Sequence, residues 1–68
     1  MIQFELDFSG KGVEVVLDSD GVDELISYLI YIKEKKEHFH LTAGNELTED
    51  SAREKLISHV KLAFIENP

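Results

Sequence analysis

Ile2-Gln3-Phe4-Glu5-Leu6-Asp7-Phe8 runs into Ser9-Gly10-Lys11-Gly12 and then Val13-Glu14-Val15-Val16-Leu17. Apolar Ile2, Phe4, Leu6 and Phe8 alternate with Gln3, Glu5 and Asp7, the period of a half-buried strand, and Val13, Val15 and Leu17 resume it. Gly10-Lys11 suits a two-residue turn whose first position takes positive φ. That register predicts Phe8 opposite Val13, Leu6 opposite Val15 and Asp7 opposite Glu14, with both apolar sets on one face. The Asp7–Glu14 pair would cost about a few tenths of a kcal/mol unless a cation or a partner relieves it.

Downstream of this hairpin, Asp18, Ser19 and Asp20 supply capping oxygens for a helix over about 21–36. Val22, Leu25, Ile26, Leu29, Ile30 and Ile32 occupy one broad arc of it, as on a helix lying against a sheet. Asp23 and Glu24 fall near its start and Lys33, Lys35 and Lys36 near its end, as the helix dipole prefers. Phe39 and Leu41 then alternate with His38, His40 and Thr42 in a third strand. Thr48, Glu49 and Asp50 are read as the cap of a short helix reaching about residue 56. A last strand over 58–66 places Val60, Leu62 and Phe64 on one face and His59, Lys61, Ala63 and Ile65 on the other.

The expected architecture is α+β, one small domain over 1–68 with the order strand, strand, helix, strand, strand. One helix covers one face of a four-stranded, mainly antiparallel sheet. Because the helix returns the chain antiparallel to the first strand, the expected strand order is 2-1-3-4.

Composition narrows the function classes. The 68 residues carry Lys+Arg 7 against Asp+Glu 14, a net charge of -7, with 43% hydrophobic residues, one Pro and no Cys. That is too apolar for disorder, and it leaves neither disulfides nor thiolate metal sites. The apolar run over 25–32 is far short of the roughly 20 residues of a membrane span, and the chain opens on a strand instead of a signal peptide. A soluble, cytoplasmic protein is expected. Lys33, Lys35 and Lys36 are interleaved with Glu34 and Glu37, so no basic stripe is available for nucleic acid.

In this layout the sheet face away from the helix carries Gln3, Glu5, Asp7, Glu14 and Val16, together with His38, His40, His59, Lys61, Ala63 and Ile65. His38, His40 and His59 with Glu5 or Asp7 could be read as a metal or acid–base site, since a His-x-His pair on a strand points both rings one way. No HExxH and no Cys accompany them, and a flat sheet cannot exclude water, so no metal, no cofactor and no enzymatic activity are expected. The serines lack a nucleophile setting and the glycines form no phosphate loop. A binding surface fits better, and the open edges of the second and fourth strands offer a second copy a place to pair, giving a homodimer.

The segment over 40–61 has a more specific likeness. His40-Leu41, then Gly44-Asn45-Glu46-Leu47, then Leu56-Ile57-Ser58-His59-Val60-Lys61 resembles the immunity protein thirty-two family of bacterial polymorphic toxin systems. Only Thr42 and Ala43 separate the first two blocks, where the family has a longer stretch with a Trp, and this chain has no Trp. The resemblance implies a protein that binds a cognate toxin, here a basic one, and neutralises it by contact without catalysis. The candidate partner-binding residues are Glu5, Asp7, Glu14, His38, His40, Glu46, His59 and Lys61. Glu46 has the alternative of anchoring its own turn, and His59 that of holding a cross-strand neighbour. The competing reading is a small homo-oligomeric structural or regulatory domain without a toxin partner.

Overall fold

A computed structural model describes residues 1–50 and 55–67. Along it run β1 (Ile2–Leu6), β2 (Val13–Leu17), α1 (Ser19–Lys35), β3 (Phe39–Thr42) and β4 (His59–Leu62). Among the described residues the class is α+β with one helix, as the alternation and capping pattern predict.

β1 and β2 pair antiparallel, but Leu6 faces Val13 and Glu5 faces Glu14, two residues away from the register that a Gly10-Lys11 turn requires. Asp7 is the reason. Its N–H donates to the Gly12 carbonyl and its carbonyl accepts from Gly10 N, both at 3.1 Å, and Gly10 takes a φ of 71°. Its carboxylate accepts from Ser9 Oγ at 2.6 Å, and Ser9 Oγ accepts from Lys11 N at 3.1 Å. The loop thus closes on its own side chains, and Phe8 is left fully exposed. A shift of two keeps every side chain on its face, so the apolar sets still coincide.

The single four-stranded sheet in the order 2-1-3-4 is not what forms. Among the described residues there are two two-stranded antiparallel sheets, β1-β2 and β3-β4, and β1 meets the run leading into β4 instead of β3. Leu6 N donates to Lys55 O at 3.1 Å and Ile57 N to Phe4 O at 2.8 Å, making a Glu5–Leu56 bridge. Beyond Ser58 the chain turns its other edge to β3, in a register of Leu41 with Val60 and Thr42 with His59. At Thr42 the outer edge of β3 is taken by the following turn. Thr42 N donates to Glu46 Oε1 at 3.1 Å, and the Thr42 carbonyl accepts from Asn45 N and Leu47 N, each at 3.1 Å.

Helix α1 starts at Asp18, whose Oδ1 accepts from Gly21 N at 2.8 Å and from the Met1 ammonium at 2.7 Å. The ammonium, then the Gly21 amide, holds the Asp18 carboxyl below the usual carboxylate range. The helix stops at Lys36, which takes a left-handed φ of 55°. No helix follows at either end of the stretch read as 48–56: residues 48–50 and 55–56 are not helical, and 51–54 lie outside the described residues. The last strand is His59–Leu62, shorter than the alternation over 58–66 suggests.

Ile2, Leu41 and Leu47 form the buried centre, with Phe4, Leu17, Leu25, Tyr28, Phe39, Val60 and Leu62 packed around it. The helix does not bury its whole aliphatic arc. Tyr28 stacks on Phe39 with centroids 4.8 Å apart, and Tyr31 meets the same ring edge-on at 5.7 Å. Packing of aromatic rings on β3 rolls the helix, so that Leu25, Tyr28 and Ile32 face inward while Val22, Ile26, Leu29 and Ile30 stay 41% to 50% exposed. The second face of β1 is not open either, since Gln3 is 3% exposed and donates from Nε2 to Thr48 O at 3.4 Å.

Candidate functional site

The eight candidate residues divide between the two hairpins. On the first, Glu5 and Glu14 are directly opposite across β1 and β2, so the like-charge rung exists but joins Glu5, not Asp7, to Glu14. Asp7 is engaged in its loop. The bond from Ser9, then the Gly12 amide, holds its carboxyl below the usual range. A Cβ at Gly12 would fall on the Asp7 carboxylate and force that side chain to shift.

On the second hairpin, alternation and strand pairing bring together His38, His40, His59 and Lys61. His40 and Lys61 are paired across the strands, and Thr42 is paired with His59. The His40 and His59 rings are 4.9 Å apart at their centroids and tilted 12°, with His40 Nδ1 and His59 Nε2 separated by 2.6 Å. Two rings so oriented meet edge to edge, and one N–H bridges them. If His40 donates from Nδ1, its Nε2 is bare; if His59 donates from Nε2, its Nδ1 is bare. Double protonation would set two N–H groups against each other. The His38 ring stands edge-on to His40 at 4.9 Å.

Partial burial, then the nearby charges of His38, His59 and Lys61, holds the His40 imidazole below its usual range. The unfolded chain takes up this proton near pH 6.5. The contribution to stability is therefore fully present above about pH 6.5 and is lost as pH falls through the lower folded value. Thermal melts in mild acid should show a loss of stability that His40→Gln reduces. An unchanged acid profile in that variant would remove His40 as the source.

Glu46 takes the turn-anchoring role: the Thr42 amide it accepts from is the main reason its carboxyl lies below the usual range. His59 takes the cross-strand role toward His40. Among the described residues no group of three or more metal-ligating side chains converges on one point. An open depression beside the histidines is lined by Lys36, Glu37, His38, Lys61, Ala63 and Phe64. None of these arrangements encloses a substrate.

Sequence reasoning expected an open edge on β2 but laid the whole apolar arc of α1 on the sheet, and so missed the stripe of Val22, Ile26, Leu29 and Ile30 that stays exposed. The signal was present in the apolar arc of α1, too wide for one hairpin to cover. Among the described residues no helix is long and apolar enough to cross a membrane. Compared with known proteins, the chain matches no family model, and no curated protein or solved structure shows significant similarity to it, so the likeness to the immunity family rests on residues 40–61 alone.

Proposed function

We propose that this chain is a non-catalytic protein-binding module whose partner is a cognate, basic bacterial toxin that it neutralises by direct contact. The observation that carries the reading is the net charge of -7. A surface of net negative charge attracts a cationic partner. Complementary charge also speeds association and selects among partners. The motif blocks over 40–61 supply the toxin class, and the open, shallow character of the second hairpin suits contact more than catalysis.

The test is co-expression with the toxin encoded beside this chain. Cells should survive with the wild type, and the association rate of the purified pair should fall as salt is raised and again in the Glu5→Gln/Glu14→Gln double variant. Absence of protection sinks the immunity role, and a salt-independent rate sinks its electrostatic basis. The second reading, a homo-oligomeric structural or regulatory domain, is favoured by a different observation: the exposed apolar stripe of α1.

A further inference from the structure

We infer that β2 is a self-association strand, pairing antiparallel with β2 of a second copy about a two-fold axis through Val15. The inference goes beyond toxin binding and does not depend on it.

The hydrogen-bond ladder shows which groups are available. Asp7 N bonds Gly12 O on the rung next to Leu6–Val13. Antiparallel rungs alternate, so the Glu5–Glu14 and Gln3–Val16 rungs carry the bonds to β1, and Val13, Val15 and Leu17 turn their N–H and C=O groups outward. The outward groups of β1 are taken, by Lys55, Ile57 and Thr48. Those of β3 at Thr42 are taken by Glu46 and the turn. Among the described residues β2 pairs only with β1. It is also lightly protected as an edge: Val13-Glu14-Val15-Val16-Leu17 contains no Pro and no Lys, and Glu14 is its one charged residue.

A second copy fits this edge. With Val15 opposite its own counterpart, Val13 faces Leu17 and Glu14 faces Val16 of the other copy, so the two Glu14 side chains do not meet. Every outward N–H and C=O of the strand finds a partner. Val13 and Val15, 54% and 43% exposed, join their counterparts on one continuous apolar face.

The helix points the same way. Its tyrosines pack on Phe39, on the β3 side. At about 100° per residue, the Val22, Ile26, Leu29 and Ile30 stripe lies on the opposite flank, toward the free edge of β2. In the paired sheet the two stripes approach each other across the axis.

Area agrees with this occupant. A folded monomer of 7.8 kDa is expected to expose about 4,400 Å², whereas this chain exposes 5079 Å². The excess of roughly 700 Å² is surface that a folded monomer of this mass ordinarily covers. The Cα radius of gyration, 12.9 Å, likewise exceeds the ~11 Å of a compact chain of this length.

Sedimentation equilibrium of the whole chain across concentration tests this, with two kinds of variant. The wild type should dimerise, more tightly as salt screens two copies of charge -7. Val15→Arg, at an exposed position and checked for folding by circular dichroism, should weaken the dimer by more than roughly tenfold by placing like charges face to face. Because the chain has no Cys, Val15→Cys should oxidise to a disulfide dimer and Val13→Cys, opposite Leu17, should not. A monomer at all concentrations, a dimer indifferent to Val15→Arg, or equal cross-linking at Val13 and Val15 overturns the inference. So does protection of β2 amides only upon adding a basic protein, which would assign the edge to a different partner.

Discussion

Gly21→Ala is expected to melt on the order of 10–20 °C below the wild type, through overpacking of about 3 kcal/mol in a small domain. Helix propensity alone predicts the opposite, since alanine exceeds glycine by about 1 kcal/mol in an exposed helix interior. Here Gly21 is buried in the first turn of α1, and a Cβ would fall on the Met1 carbonyl. That obstacle is backbone, so no side-chain rotation relieves it. Moving Met1 aside would disturb the Asp18 N–H bond to the Met1 carbonyl and the ammonium bond to Asp18, and with them the seating of β1 beside the helix start. Thermal and urea denaturation read the effect directly. A melting temperature at or above the wild type would show that the close approach of strand and helix is not obligatory.

Leu41→Ala should be at least as damaging, at about 2–5 kcal/mol. A core of this size rarely supplies more than about 3–5 kcal/mol, so the variant is expected to be largely unfolded at room temperature. Leu41 is fully buried in one cluster with Ile2 of β1 and Leu47 of the turn, and that cluster joins the two hairpins. Truncation leaves a cavity at their junction. Near-ultraviolet circular dichroism should lose the signal of Tyr28 packed on Phe39. Ile65→Ala, at a position 80% exposed, serves as the contrast and should change stability by less than about 0.5 kcal/mol. Equal effects at the two positions would mean that the hairpins are not joined through Leu41.

Much of the candidate site was legible before the fold. Alternation in Phe39-His40-Leu41-Thr42 and His59-Val60-Lys61-Leu62 already separates core from polar residues, so the meeting of His40, His59 and Lys61 follows once β3 and β4 pair. The pairing of Asp7 with Glu14 did not survive, because a short acidic side chain beside Ser9 and Gly10 closes a loop more readily than it extends a ladder. Glu46 followed the same logic, since its carboxylate lies within reach of the Thr42 amide.

Sequence by itself determined the local elements: four strands from period-two alternation, a helix capped from within Asp18-Ser19-Asp20, and apolar faces that remained apolar through a two-residue change of register. Only the tertiary structure decided which edges pair and which part of the helix is buried. Backbone N–H and C=O groups are the same in every strand, so nothing in the residue pattern says that β1 takes residues 55–57 instead of β3. The arc of α1 likewise offers more apolar surface than these hairpins can cover. Stacking of Tyr28 and Tyr31 on Phe39 selects the covered part and leaves Val22, Ile26, Leu29 and Ile30 facing outward.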